Sequence, residues 1–330
     1  MTTFGAAAPV RLDLAGGWTD VPPYSAREGG VVVAAAMQLY AYAEVRPRER
    51  GYLLASKELE QALEYPDLAA LAGDAPLPLL RAGLRLLQAQ PCSLSTHSDA
   101  PHGGGLGSSG AMDVVIVAAL ARAQGRLLST REIADLACRL EGQEAGIPGG
   151  RQDQFIAAYG GFLRLGFRDP DATVERIRLD EAFAAELERR MLLCYTGDSR
   201  FSGDTIGRVM RAYERGEPKI AGALDGLRDA AEAMTDALRA GDFGRIGALL
   251  SENWRLQQRL DAGMSTPEMR RLEAAMRDAG CLGGKAAGAG AGGSMFFLAP
   301  DDPAPAREAA ARLGMRLLPV RWAATGVRPC

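Results

Sequence analysis

Apolar and polar positions in the first half of the chain follow two spacings, one typical of strands and one typical of helices. The run 30–37 is almost wholly apolar and predicts a buried strand, and the alternation over 40–47 predicts a second strand. Apolar positions predict helices over 76–90 and 111–125, the second of which ends at Gly125. This half of the chain therefore mixes helices with strands.

Both element types continue beyond residue 125. The sequence Ser129-Thr-Arg-Glu132 has the form of a capping box, and it predicts a helix that runs to about Ala145. The loop 146–154 follows, and the segments 160–167 and 189–195 predict strands.

The pattern changes after residue 200. Residues 203–262 are rich in Ala, Leu, Arg, Asp and Glu, with apolar positions at helical spacing. Ser265-Thr-Pro-Glu268 predicts a further helix that begins with a capping box. Strands are predicted near 294–298 and 316–322. The second part of the chain is therefore predicted to be mostly helical.

The length of the chain indicates two lobes. A chain of 330 residues exceeds what one ordinary hydrophobic core accommodates. We expect the boundary between residues 168 and 190, and we divide the chain into lobes 1–175 and 176–330. The predicted fold class is α+β, with a helix-rich second lobe.

Composition narrows the functional classes. The net charge of −3 gives no electrostatic footprint for nucleic acid. The apolar runs are too short to span a bilayer, and the first residues do not resemble a signal peptide. Five scattered cysteines fit a reducing, cytoplasmic setting. With only two histidines, a His-rich zinc site is excluded and a Ser-His-Asp hydrolase is disfavoured.

The segment 101–112, Pro-His-Gly-Gly-Gly-Leu-Gly-Ser-Ser-Gly-Ala-Met, carries the strongest chemical signal. Glycines let the backbone approach a bulky ligand, and a helix that begins directly afterwards presents free N–H groups and a positive dipole end. These features predict an anion site, most often for phosphate. The alternative is a flexible surface loop. The residues predicted to bind are Gly103, Gly104, Gly105, Leu106, Gly107, Ser108, Ser109 and Gly110.

A second motif covers residues 9–20, Pro-Val-Arg-Leu-Asp-Leu-Ala-Gly-Gly-Trp-Thr-Asp. Arg11 and Asp13 lie in an otherwise apolar strand, where an unpaired charge is costly. A structural ion pair is one explanation. Asp20 follows a Gly-Gly turn, from which a carboxylate can accept hydroxyl hydrogen bonds in a cleft or cap the turn.

A third motif, residues 283–297, is rich in glycine and alanine. Gly288, Gly290 and Gly293 match GxGxxG, but a dinucleotide site needs a strand before the motif and a helix after it. The sequence predicts the reverse order, so we exclude that site. The loop either covers phosphates, packs against the glycine loop, or forms a tight turn from helix to strand.

Taken in this order, the three motifs resemble those of the GHMP small-molecule kinases, over almost the whole chain. The segments 15–24, 141–154 and 195–200 resemble the branch of the D-glycero-D-manno-heptose 7-phosphate kinases and L-fucokinases. The resemblance implies a two-lobed α+β GHMP kinase fold, with a first lobe like ribosomal protein S5. It also implies ATP and Mg²⁺ as cofactors, and a cleft between the lobes.

The resemblance assigns catalytic roles to individual residues. It places the catalytic aspartate at Asp153, where a carboxylate can accept the proton of a sugar hydroxyl, and its partner arginine at Arg11. Magnesium ligands match Ser109 and Glu141, and Glu144 is a rival one turn away.

The resemblance also implies a sugar site. Candidate substrate-binding residues are Gly17, Trp18, Asp20, Tyr24, Arg151, Gln152 and Arg200. A phosphate on the sugar needs a basic partner, for which His102, Arg151 and Arg200 are candidates.

The implied reaction is phosphorylation of the anomeric (C1) hydroxyl of D-glycero-D-manno-heptose 7-phosphate, which gives the 1,7-bisphosphate. L-fucose or another free sugar is the alternative acceptor, and a non-catalytic sugar sensor of the same fold is a remote third reading. The expected partner is a small-molecule sugar or sugar phosphate, with no nucleic acid and no membrane, and the expected assembly is a monomer or homodimer.

Overall fold

The structure is a computed structural model that describes residues 2–73, 75–197 and 203–330. Its strands are β1 (Phe4–Ala15), β2 (Gly30–Pro47), β3 (Tyr52–Ser56), β4 (Gln61–Tyr65), β5 (Cys92–Ser98), β6 (Phe162–Arg168), β7 (Asp171–Arg176), β8 (Met191–Gly197), β9 (Gly283–Ala286), β10 (Gly293–Leu298), β11 (Arg316–Leu318) and β12 (Arg328–Pro329). Its α-helices are α1 (Tyr24–Arg27), α2 (Pro78–Leu86), α3 (Ser108–Ala123), α4 (Thr130–Arg139), α5 (Gln152–Tyr159), α6 (Glu181–Arg190), α7 (Gly203–Glu214), α8 (Pro218–Ala240), α9 (Phe243–Gln257), α10 (Pro267–Asp278) and α11 (Ala304–Arg312).

The strands of the described residues form two sheets. The first sheet has the order β12-β1-β2-β5-β3-β4; β6 also pairs with β2, and β7 pairs with β6. The second has the order β11-β8-β10-β9 and is antiparallel throughout. Helices pack on both sheets, so the predicted α+β class is confirmed.

The long strand β2 organises the first sheet. Its residues 30–35 pair with β6, and its residues 41–47 pair with β5. We predicted two strands here, but the structure has one. The register between β1 and β2 shifts next to Pro9, so that Gln38 and Leu39 form a bulge within the strand. Proline has no N–H to give to the ladder, and a bulge accommodates that missing bond.

Helix α3 lies in the centre of the first lobe, against β1, β2, α2, α4 and α5. Residues 114–121 are all apolar and are buried on all sides of the helix, as expected for a helix in the interior. It begins at Ser108, three residues before the predicted start, because Gly107 adopts a left-handed φ of 74° and the chain enters the helix directly from the glycine loop.

The two lobes share buried contacts. Strand β7 of the first sheet ends at Arg176, and β8, the first strand of the second sheet along the chain, begins at Met191. Helix α8 of the second lobe packs against β1 and β2 of the first. The chain then returns to the first sheet, where β12 pairs with β1. The division at residues 175 and 176 stays a prediction.

Two local predictions in the second lobe need correction. Thr266, and not Ser265, caps α10, because its side chain accepts the hydrogen bond from the Met269 N–H. The third motif begins with strand β9, which pairs with β10, so its loop connects two antiparallel strands and not a helix with a strand. The dinucleotide site remains excluded because no helix follows the loop.

Among the described residues, no helix combines the length and the apolar composition that crossing a bilayer requires.

Candidate active site

Two cavities lie side by side at the start of α3. The first cavity has a volume of about 430 Å³, and the second has a volume of about 320 Å³. The residues that line both cavities are Arg11, Ser109, Ile147, Asp153, Gly288 and Ala289. A molecule in one cavity is therefore next to a molecule in the other.

The glycine loop, residues 103–109, forms one wall of the first cavity. Gly103, Gly105 and Gly107 have φ values of 67°, 72° and 74°, which residues other than glycine rarely adopt. Ser108 and Ser109 are the first residues of α3, so the unpaired N–H groups and the positive dipole end of the helix are next to this cavity. This wall is suited to an anion such as phosphate.

Gly110 lies behind the loop and lines neither cavity. A Cβ atom at this position would be 2.4 Å from the Cβ atom of Asp153. The missing side chain therefore lets α5, which carries Asp153, approach α3 closely. Gly110 supports the site through packing, whereas we predicted direct binding.

The opposite wall of the first cavity was not predicted. It consists of Leu77, Pro78, Leu79 and Leu80 from the start of α2, with Ser56 and Thr96 from β3 and β5. This apolar surface with a few polar groups suits a flat heteroaromatic ring. No sequence pattern identifies this wall, because apolar residues in α2 look the same whether they face a core or a ligand.

Arg11 holds Asp153 at the junction of the cavities. Its Nε donates to Asp153 Oδ1 at 2.8 Å and its Nη2 donates to Oδ2 at 3.1 Å. Its Nη1 donates to the carbonyl oxygens of Gly105 at 2.6 Å and Ala287 at 2.9 Å. Arg11 is only 6% exposed. One guanidinium thus fixes the carboxylate, the glycine loop and the third-motif loop in a single arrangement.

Asp20 lies in the wall of the second cavity and is 1% exposed. Its Oδ2 accepts a hydrogen bond of 2.9 Å from the Gln152 N–H. Burial raises the pKa of Asp20 to about 6; the Gln152 hydrogen bond lowers it, and the nearby Asp153 and Asp13 raise it further. Gly150 makes room for this carboxylate, because a Cβ atom there would lie 2.0 Å from Oδ2.

Ser109 and Glu141 meet between the cavities. Ser109 Oγ donates to Glu141 Oε1 at 2.6 Å, and Gln154 Nε2 donates to Glu141 Oε2 at 2.7 Å. Burial raises the pKa of Glu141, and the Ser109 hydrogen bond lowers it. The rival Glu144 instead pairs with Arg85 on α2, and it lines neither cavity.

The second cavity brings together most of the predicted sugar-binding residues. Gly17, Trp18, Asp20 and Gln152 line it. Tyr24 does not, because it is buried and its hydroxyl donates to Asp225 at 2.8 Å.

The candidate basic residues are not in the wall of this cavity. The Arg151 side chain pairs with Asp169 and donates to the carbonyl oxygens of Pro170 and Asp171. It therefore points away from the cavity that its neighbour Gln152 lines. His102 lines the first cavity. Arg200 lies outside the described residues.

The third-motif loop closes both cavities. Gly288 and Ala289 line each of them, and a Cβ atom at Gly288 would be 2.6 Å from the Gly105 carbonyl oxygen. The loop therefore packs on the glycine loop and also faces the cleft. At its base, Lys285 is fully buried and donates to Asp13 at the backbone oxygen, at 2.7 Å, and at Oδ2, at 2.9 Å.

Comparison with known proteins identifies the family. Residues 77–161 match the family model of the GHMP kinases N terminal domain, and residues 234–314 match that of the GHMP kinases C terminal. The chain is 33% identical over 305 residues to D-glycero-alpha-D-manno-heptose 7-phosphate kinase of Campylobacter jejuni, covering 90% of this chain and 89% of the relative.

Two further proteins match this chain over most of its length. The bifunctional fucokinase/GDP-fucose pyrophosphorylase of Arabidopsis thaliana is 27% identical over 312 residues, which cover 89% of this chain and 29% of that protein. The crystal structure of a D-glycero-D-manno-heptose 1-phosphate kinase from Bacteroides thetaiotaomicron superposes with a TM-score of 0.79 at 25% identity, covering 99% of this chain and 98% of that one. The chain therefore belongs to the GHMP kinases, and it is an ATP-dependent phosphotransferase whose acceptor is an alcohol group.

Proposed function

We propose that this kinase phosphorylates the anomeric hydroxyl of D-glycero-D-manno-heptose 7-phosphate and so produces the 1,7-bisphosphate. The observation that carries the proposal is the position of Asp153, whose carboxylate is held by Arg11 in the wall common to both cavities. The name of the Campylobacter jejuni relative supports the choice of sugar.

In this proposal, ATP occupies the first cavity. The adenine lies on the apolar wall of α2, and the phosphates lie against the glycine loop and the N-terminus of α3. The γ-phosphate then reaches Ser109 and Asp153, which also face the second cavity. Residues 103–109 hold the phosphates, mainly through backbone N–H groups.

The sugar occupies the second cavity, with its C1 hydroxyl at Asp153. The carboxylate accepts the hydroxyl proton as the sugar oxygen bonds to the γ-phosphorus and the bond from that phosphorus to the ADP oxygen breaks. Arg11 keeps the carboxylate oriented, because four of its N–H groups are engaged with Asp153, Gly105 and Ala287. Catalysis then comes mainly from positioning and charge stabilisation.

Ser109 and Glu141 fit the magnesium role. Their side-chain oxygens are 2.6 Å apart beside the phosphate wall, and a hydroxyl with a carboxylate is an oxygen donor set of the kind that Mg²⁺ prefers when nucleotide oxygens and waters complete its shell. Burial raises the pKa of Glu141, although the hydrogen bonds from Ser109 and Gln154 lower it, and a bound cation would favour the ionised carboxylate further. These two residues would hold the ion, whose positive charge would stabilise the transferring phosphoryl group.

One observation favours a free sugar such as L-fucose as the second candidate. Arg11 is the cation in the wall of the second cavity within the described part of the chain, and its side chain is already engaged with Asp153 and two carbonyl groups. The wall otherwise carries the carboxyl groups of Asp13, Asp20, Glu141 and Asp153. This wall suits hydroxyl groups better than a phosphate, so the phosphosugar proposal depends on a cation elsewhere, for which Arg200 is the candidate.

The test is ATP consumption against a panel of heptose 7-phosphate, L-fucose, galactose and mannose, followed by ³¹P and ¹H NMR of the product. The proposal expects heptose 7-phosphate to have the highest kcat/KM and the product to carry the new phosphate at C1. A higher kcat/KM for L-fucose selects the second candidate. Phosphorylation at another carbon would contradict the role assigned to the anomeric hydroxyl in both.

A further inference from the structure

Three buried oxygen atoms without partners lie on residues that line the second cavity. They are Asp13 Oδ1, Asp20 Oδ1 and Gln152 Oε1, and none has a hydrogen-bond partner within the described residues. Asp13 is 3% exposed, Asp20 is 1% exposed and Gln152 is 8% exposed. A buried acceptor without a donor costs free energy, so three in one wall indicate a ligand that supplies the donors.

Asp13 is the unexpected member of this set. Its Oδ2 and its backbone oxygen are taken by Lys285, which is fully buried at the base of the third-motif loop. The buried ion pair provides a hydrogen-bond donor for Oδ2, but it leaves Oδ1 without a donor. Gly17 permits the arrangement, since a Cβ atom there would lie 2.2 Å from Asp13 Oδ2.

We infer that Asp13 is a specificity-determining residue that accepts a hydrogen bond from a second hydroxyl of the acceptor sugar, with Lys285 holding its carboxylate in place. Asp20 and Gln152 accept from neighbouring hydroxyls in the same wall. The ligand class is a polyhydroxylated ring that presents donors on adjacent carbons, because carboxylate oxygens accept hydrogen bonds and cannot donate them. The inference rests on the proposed sugar-kinase function and extends it to Asp13 in the wall of the second cavity.

The position of Asp13 also couples the sugar to the opposite lobe. Lys285 lies on β9, and the loop that follows β9 supplies Gly288 and Ala289 to both cavities. A sugar hydroxyl bound to Asp13 is therefore connected through the ion pair to Lys285. Lys285 in turn precedes the loop that packs on the glycine loop.

The test replaces the ion pair by an apolar pair, Asp13→Leu with Lys285→Met. Apolar replacement of both partners of a buried ion pair usually preserves folding, whereas Asp13→Asn alone leaves a buried ammonium without its anion. For the sugar that the wild type phosphorylates best, we expect the double variant to raise the acceptor KM about 10- to 100-fold and to change the ATP KM less than twofold. Asp135→Asn, which removes an aspartate paired with Arg131 on α4, is the control and should match the wild type.

Monodeoxy forms of that sugar give the second measurement. If Asp13 accepts from one hydroxyl, the penalty of the double variant disappears for the analogue that lacks this hydroxyl and persists for the others. The inference is wrong if the folded double variant keeps the wild-type acceptor KM, if both KM values rise equally, or if every analogue shows the same penalty. If the wild type phosphorylates no sugar in the panel, the proposed function fails first, and the inference fails with it.

Discussion

The buried charged residues of this site differ in how completely their side chains are hydrogen-bonded. Arg11 is satisfied by a carboxylate and two carbonyl oxygens, whereas Asp20 has one hydrogen-bonded oxygen and one without a partner. This difference separates a residue that fixes geometry from one that is available to a ligand. Asp153 combines both properties, because it is held by Arg11 and also faces each cavity.

The first prediction concerns Asp153. Asp153→Asn should lower kcat about 10²- to 10⁴-fold, because the carboxamide cannot accept the hydroxyl proton. The ATP KM should change little, since the glycine loop is intact. Steady-state kinetics on the best panel sugar measures this, with Asp135→Asn as the isosteric control. Retention of near wild-type kcat would falsify the assignment of the base.

The second prediction concerns the pH dependence of Asp20. Its pKa of about 6 in the folded protein lies above the ordinary value of 3.8 expected for the unfolded chain, so between these values the native state holds a proton that the unfolded state lacks. The contribution of Asp20 to stability is therefore full below pH 4 and is lost as the pH rises through about 6. Its ionised form is the better hydroxyl acceptor, so the acceptor KM should increase as the pH falls below 6.

Asp20→Asn separates these effects. The variant should raise the acceptor KM, should remove the pH dependence that Asp20 contributes between pH 4 and 7, and should be at least as stable as the wild type at pH 8. Acceptor titrations and thermal melts across this pH range provide the measurements. An unchanged pH profile of the acceptor KM in the variant would show that another group titrates.

At the scale of elements, the active site depends on how closely α3 and α5 approach each other. Gly110 in the first turn of α3 faces Asp153 in the first turn of α5, and both helices begin at the cleft. The N-termini of two helices and the loop between β9 and β10 therefore meet at one place. The glycine determines how deep the carboxylate lies between the two cavities.

The third prediction tests this contact. Gly110→Ala would place a methyl group 2.4 Å from the Asp153 Cβ atom, so α5 must move. A displacement near 1 Å should cost about 10²-fold in kcat. The matched control is Gly222→Ala in α8, where the new Cβ atom meets nothing within 4 Å. The control should keep full activity and raise the free energy of unfolding by about 0.5–1 kcal/mol. Equal activity of the two variants would contradict the role of Gly110.

At the scale of the whole molecule, two buried contacts link the second sheet to the first at the cleft. Lys285 of β9 pairs with Asp13 of β1, and the Ala287 carbonyl oxygen accepts from Arg11 of β1. Helix α8, packed against β1 and β2, adds apolar contact between the lobes. The cleft is therefore built on a continuous interior.

The fourth prediction concerns this link. Lys285→Met leaves the Asp13 carboxylate buried without its cation and should lower the free energy of unfolding by about 3–5 kcal/mol. Adding Asp13→Leu should recover most of that loss. Urea unfolding followed by circular dichroism measures both. Arg46→Met, which removes an exposed ion pair with Glu44, should cost at most about 1 kcal/mol. A Lys285→Met variant as stable as the wild type would mean that the buried pair does not stabilise the fold.

Much of the fold could be predicted from local pattern. The capping box at Ser129 is present, and the strand near 294–298 is found as β10. Two predictions failed, one because the adjacent residue provides the helix cap and one because a residue on another strand shifts the register. Thr266 caps α10 where we predicted Ser265, and the bulge in β2 accommodates Pro9 on β1.

The sequence by itself determined the family, the glycine loop and the residue types of the site, because spacing within a short motif fixes local backbone and chemistry. Only the tertiary structure decided which side chains face the cleft. Tyr24 and Arg151 turned to partners outside it, Gly110 became a packing contact, and Asp13 and Lys285 paired across 272 residues of chain. Burial and hydrogen-bond pairing depend on neighbours that are remote in sequence, so no local pattern specifies them.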